Sequence, residues 1–225
     1  MRTTPEGMLC AMNRRGFLAG GAAAMAIGFG ALPHAALAAD DPGANILGPR
    51  PGYSPQIGTF VSMLTWMREQ NGVLVATKGL NTEQLDYLFD KNANSIGALM
   101  LHLAATEVYY NLNTFGGMKW DTWGSEVKSK WDAAMNLGDA GRATIKGHDR
   151  QYYVDILHDV RQKTLAEFAK RDDKWLLDKL DDPDWGPCNN LAKWFHVCEH
   201  ESHHCGQIAL LRKRVPGADT KPAAG

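Results

Sequence analysis

Apolar positions along this chain recur at helical spacing, and no stretch alternates as a strand would. From Pro55 to Lys78, the residues Ile57, Phe60, Val61, Leu64, Met67, Leu74 and Val75 share one face of a long helix, with Asn71-Gly72 as its weak point for a kink. Gly79 ends it, and Asn81-Thr82-Glu83 opens a short turn or helix. A second long helix is predicted from Asn94 or Ser95 to about Phe115, where Gly116-Gly117 breaks the chain. A short helix near Ser125 to Leu137 and a long loop through Gly138, Gly141 and Gly147 follow; such a loop serves either as a site wall or as a plain surface crossover. The third long helix runs from about Arg150 to Lys170, with Tyr153, Leu157, Val160, Thr164 and Phe168 on one face. A brief helix over Asp172 to Leu180 and a rigid Asp181 to Pro187 connection lead to Asn189 or Asn190, either of which can cap the last helix. That helix closes with Arg212-Lys213-Arg214 before Pro216-Gly217. The pattern predicts an all-α protein, a four-helix bundle with a long crossover between its second and third long helices.

The N-terminus departs from this pattern. Asn13-Arg14-Arg15-Gly16-Phe17-Leu18-Ala19 is a twin-arginine motif, followed by an Ala- and Gly-rich run from Gly20 to Leu37 and the small-residue cleavage pattern Ala36-Leu37-Ala38. Met8 and Met12 are alternative starts. The expectation is a cleaved signal over residues 1–39, a linker over 40–52, the bundle over 53–215 and a tail over 216–225. The apolar run, interrupted by Pro33 and His34, is too short for a stable membrane anchor, so the mature chain is expected to be periplasmic or secreted by the twin-arginine route.

Composition changes the picture little. A net charge of −1, with basic residues neither in excess nor clustered, gives no nucleic-acid surface. Cys10 leaves with the signal, so Cys188, Cys198 and Cys205 remain. Cys198 and Cys205 stand roughly 10 Å apart along one helix, too far for a bridge, and read as packed thiols.

The chemistry concentrates in Trp194 to Arg212, which carries His196, His200, His203 and His204. On a helical wheel with His196 at zero, Val197, Ile208, Leu211 and Val215 form the inward stripe. His200 and His204 lie inside that stripe, at roughly 40° and 80°, whereas His196 and His203 sit at its edge. Two inward imidazoles at i and i+4 can reach one metal ion; the other reading is a hydrogen-bonded polar pair in the core. His102, whose neighbours Ala98, Ala105 and Tyr109 leave room around it, is the third candidate ligand. Three neutral imidazoles leave a divalent ion an open position, with Zn first and Ni or Fe as other fits. Such an ion activates bound water or favours the thiolate of a bound thiol.

His200-Glu201-Ser202-His203-His204 also satisfies the H-E-x-x-H zinc-protease signature. Leu210 stands where the extended signature wants a third histidine, and no strand is visible to hold a peptide, so the protease reading is set aside. Glu201 stays a candidate base or supporting partner, with an ordinary solvated residue as its other reading, and His196 is a second candidate proton carrier.

NSIGALMLHLAATEVYY with its one histidine, and EHESHHCGQIALLR with its i, i+4 pair, resemble the DinB-like superfamily of metal-binding four-helix bundles. The likeness spans about Tyr53 to Val215. It implies a bundle, often a homodimer, with a divalent metal held by His102, His200 and His204, and a small-molecule substrate. Some members are thiol-dependent S-transferases. The export signal fits that activity awkwardly, because low-molecular-weight thiols are mainly cytosolic; hydrolysis by activated water avoids the difficulty. Two functions are therefore expected. One is a metal-dependent hydrolase or transferase in which Glu201 or His196 moves protons. The other is a non-catalytic metal carrier or sensor in which His196 and His203 close the coordination shell.

Overall fold

The computed structural model describes residues 45–218. The expected signal segment lies outside them, as do parts of the linker and of the C-terminal tail. Among the described residues, no helix is long and apolar enough to cross a membrane.

Four helices make the bundle: α1 (Pro55–Glu69), α4 (Ile96–Tyr110), α7 (Arg150–Phe168) and α9 (Asn190–Arg212). Between α1 and α4 come the short α2 (Val73–Ala76) and α3 (Thr82–Asp86); the crossover between α4 and α7 carries α5 (Ser125–Asn136) and α6 (Gly138–Thr144). A short α8 (Asp173–Leu177) and a hairpin, β1 (Leu180–Asp182) and β2 (Gly186–Cys188), precede α9. The all-α bundle expected from the periodicity is the fold observed.

Local chemistry sets many of the boundaries. Ser95, Asp149 and Asn189 cap α4, α7 and α9, each side chain accepting from a backbone N–H at 2.8–3.1 Å. Asn81 and Gln84 form a reciprocal capping box on α3. The weak point at Asn71-Gly72 divides the predicted first helix into α1 and α2. A Cβ on Gly72 would stand 1.8 Å from the Met67 carbonyl oxygen, so only glycine fits that break.

Three expectations are corrected. The glycine-rich loop after α5 contains α6, whose Gly138–Thr144 stretch winds as a helix after Leu137 takes φ 55°. The α4 helix does not continue regularly to Phe115; Asn111–Phe115 widens into a π-helical turn. The Asp181 to Pro187 connection is a true hairpin pairing Leu180 with Cys188 and Asp182 with Gly186. Strands of three residues are too short to display an alternating pattern.

The interior has two apolar halves. One gathers Ile96, Leu99, Met100, Tyr153, Leu157 and Ile208; the other gathers Ile57, Leu64, Phe168, Leu176, Trp194 and Val197. Each bundle helix contributes one charged residue to a buried quartet, Arg68, Glu107, Arg161 and Glu201, all at most 3 % exposed. Arg68 Nε lies 2.9 Å from Glu201 Oε1, and its Nη2 lies 3.0 Å from Glu107 Oε2. Arg161 reaches Glu107 at 2.8 Å and Glu201 at 3.2 Å. The guanidiniums also donate to the carbonyls of Leu157 and Leu64. Burial alone would raise Glu107, but Arg161 and then Arg68 hold it at about 2. The quartet is internally neutral, which is what makes four buried charges tolerable.

Candidate metal centre

His102 projects from the middle of α4; His200 and His204 project one turn apart from α9, which packs along α4. Their Nε2 atoms converge. His200 Nε2 is 3.2 Å from that of His102 and 2.8 Å from that of His204, and one ligand atom from each residue lies within 4.8 Å of the others.

The opposite edges of two of these rings are fixed. His102 Nδ1–H donates to the carbonyl of Ala134 on α5 at 2.9 Å, and His204 Nδ1–H donates to Gln207 Oε1 at 2.9 Å. A neutral imidazole carries one N–H, so both Nε2 atoms present lone pairs to the same point. Lone pairs facing one another across about 3 Å repel unless a proton or a cation lies between them. Burial pushes His102 down to about 4, with the charge of His204 adding to the effect, while the contact with Ala134 acts against it. Burial and the neighbouring His204 and His102 bring His200 to about 3; burial likewise lowers His204. The rings are thus neutral, the ligand form, where a free histidine would begin to protonate. His200 Nδ1 is buried with no hydrogen-bond partner among the described residues. This donor set fits a divalent ion bound by imidazole, with part of the coordination shell left to other ligands.

Of the residues expected at the site, His102, His200 and His204 come together. His196 lies beside them, its ring parallel to that of His200 with centroids 5.7 Å apart and planes 8° apart. Its Nδ1 faces Glu199 Oε1 at 2.7 Å, and its side chain is 44 % exposed. His203 turns outward, 2.9 Å from the other Glu199 oxygen.

Glu201 is not where a base would be. The wheel places it outside the narrow apolar stripe, but α9 is covered on several sides, by α1, α2, α4 and α8, and Glu201 faces the buried quartet. Both of its oxygens are held by guanidiniums, which corrects the expectation that it moves protons. Cys198 is also buried, and burial raises its thiol to about 11, so it is a packed thiol rather than a nucleophile. Cys188, Cys198 and Cys205 are all unbridged.

Sequence reasoning missed several contributors. Gln207 follows His204 by three residues, a spacing that could have marked it as a supporting partner. Arg68 and Arg161 each follow a core leucine, Leu64 and Leu157, by four residues and so interrupt an apolar face, a signal that was there to be read. The Ala134 carbonyl leaves no side-chain trace at all.

A search of curated proteins finds no match to this chain. A family model described as mycothiol S-transferase matches residues 59–217, a span that holds all four bundle helices except the first turn of α1, and all three converging histidines. With most of its length matched, the chain belongs to the mycothiol S-transferase family, within the DinB-like superfamily.

Proposed function

We propose that this protein is a metal-dependent S-transferase, in which His102, His200 and His204 hold one divalent ion, Zn before Ni or Fe, and a low-molecular-weight thiol is joined to an electrophilic carbon. The observation that carries this reading is the convergence of three Nε2 atoms within the span matched by the family. When bound, the ion supplies a Lewis acid that favours the anionic form of a thiol.

The chain's own residues do the rest. Ala134 and Gln207 keep two ligand rings in the tautomer that offers Nε2. His196 directs Nδ1–H at Glu199, so its Nε2 is free to take the proton that leaves the thiol. The new carbon–sulfur bond then forms as the leaving group departs with its electron pair. In the closed-shell alternative, His196 and His203 complete the coordination of a carrier or sensor; both are instead turned to Glu199, which favours the open site.

Export through the twin-arginine route, suggested by Arg14-Arg15, belongs to this proposal too, and it keeps a second reading in view. Outside the cytoplasm the same open site would serve hydrolysis, with water in place of the thiol.

The test is elemental analysis of protein purified without a His tag or added metal, beside His102→Ala and His200→Ala, followed by an assay with mycothiol and monochlorobimane. Stoichiometric metal lost in both variants, with metal-dependent thioether formation, supports the transferase. Metal-dependent turnover of ester or amide substrates without thiol consumption moves the assignment to a hydrolase. A folded wild type that binds no metal refutes both.

A further inference from the structure

The hairpin before α9 touches the histidine centre through one residue that the transferase reading leaves unused. Trp185, at its tip, is 36 % exposed, yet its ring stands edge-on to His196 at 5.6 Å and to Tyr110 at 6.4 Å. His196 lies flat against the ligand His200. Tyr110 in turn meets Trp120 at 4.9 Å, and Trp120 carries a buried Nε1 with no partner among the described residues. Rings therefore run from the solvent-facing hairpin tip to a member of the triad, along the same edge at which His196 is open to solvent.

This exposed indole is held with unusual firmness. A hairpin with three-residue strands has little stability of its own. Here Asp182 Oδ1 accepts from the backbone N–H groups of Asp184 and Trp185, at 2.9 and 3.0 Å, and Gly186 completes the turn at φ +66°. Asp182 Oδ2 receives Lys193 Nζ at 2.5 Å, with the two side chains only 10 % and 5 % exposed. Lys193 also donates to Asn113 Oδ1, in the π-helical turn that follows Tyr110. Burying an ammonium group is costly unless it is paired. A residue meant only to fill the core would be covered; Trp185 is instead clamped in place with one side in solvent and the other on the site.

We propose that Trp185 is a specificity-determining residue: with Tyr110 and Trp120 it forms the apolar wall on which an aromatic or planar unsaturated group of the electrophilic substrate stacks. The inference rests on the transferase reading only in requiring that a second substrate reach the histidine centre. The Lys193–Asp182 pair is the positioning device that holds the wall.

The experiment separates this from the reaction itself by reading binding as well as turnover. The probe is 1-anilinonaphthalene-8-sulfonate, a planar aromatic, titrated by fluorescence into metal-loaded protein. Trp185→Ala is expected to weaken its binding about tenfold, the equivalent of about 1.4 kcal/mol, within reach of a lost ring contact plus its buried area. Trp185→Phe is expected to restore most of it, and Lys193→Met to reproduce the loss by freeing the hairpin, all with metal content unchanged. Phe195→Ala is the control, because Phe195 lines a separate apolar groove with Phe60 and Met63. In turnover, the ratio of kcat/KM for a benzylic chloride over chloroacetamide falls about tenfold in Trp185→Ala. Probe binding lost in Phe195→Ala but kept in Trp185→Ala overturns the proposal, as does an unchanged kcat/KM ratio. Failure of thiol transfer with probe binding still dependent on Trp185 would remove the reaction and leave the wall.

Discussion

His204 Nδ1 and Gln207 Oε1 lie 2.9 Å apart, three residues from one another on α9. The contact holds the proton on Nδ1 and keeps the Nε2 lone pair turned toward His200 and His102. Gln207 is itself exposed and belongs to no core cluster. Gln207→Leu is therefore expected to weaken metal binding about 10- to 100-fold while leaving the metal-free fold intact. Competition with a chromogenic chelator reads the affinity, and thermal melting of the metal-stripped protein reads the fold. Wild-type affinity in the variant would mean that His204 needs no partner to stay in its ligand tautomer.

How much of this was legible in the sequence depended on how local each signal was. The i, i+4 pair His200/His204 and the caps Ser95 and Asn189 are set by neighbours within a turn, so helix geometry alone exposes them. His102 needed only the further step of pairing two helices. The hairpin did not show, because its stability comes from Lys193 in the next helix rather than from its own strands. Glu201 was misplaced for a related reason: a wheel assumes one buried face, whereas α9 is packed on several sides and buries Glu201 against Arg68 and Arg161 from two other helices.

The quartet gives the next expectation. Removing one member leaves an unpaired buried charge, whereas removing an opposed pair leaves Arg161 and Glu107 balanced. Glu201→Ala or Arg68→Met alone is expected to cost about 3–5 kcal/mol, and the double variant Arg68→Met/Glu201→Ala less than the sum of the two. Urea unfolding of the three proteins makes the comparison. Strict additivity, or a mild Glu201→Ala, would show that the four charges do not act as a unit.

At Gly97, α4 packs tightly against Tyr153 of α7. A Cβ there would stand 2.8 Å from the hydroxyl oxygen and 2.9 Å from Cζ of Tyr153, a side chain with no exposed surface. A buried ring has little room to retreat, so Gly97→Ala is expected to destabilise the fold by about 1–3 kcal/mol despite the better helix propensity of alanine. Tyr153→Leu, which removes the hydroxyl, is expected to relieve part of that cost in the double variant, as a denaturation cycle would show. A stabilised Gly97→Ala would mean that α7 yields freely at this contact.

The histidines make stability depend on pH in a defined window. In the unfolded chain His102 and His200 protonate near 6.5; in the folded, metal-free protein burial delays this to about 4 and about 3. Between those values the unfolded state binds more protons, so stability rises with pH across the window. The contribution is complete above 6.5, declines as the pH falls through about 4 for His102 and about 3 for His200, and is flat below. For the well-buried His102 the change is on the order of 3 kcal/mol. Glu107, lowered from its ordinary 4.5 to about 2, adds a slope of the same sign only below about 4.5, so the histidine effect is read between 6.5 and about 4.5. Denaturant midpoints of metal-stripped protein are thus expected to fall steadily on acidification from neutral pH, with a shallower fall in His102→Phe, which has no ring nitrogen to protonate. Equal slopes in the two proteins would mean that His102 is already accessible to protons in the native state.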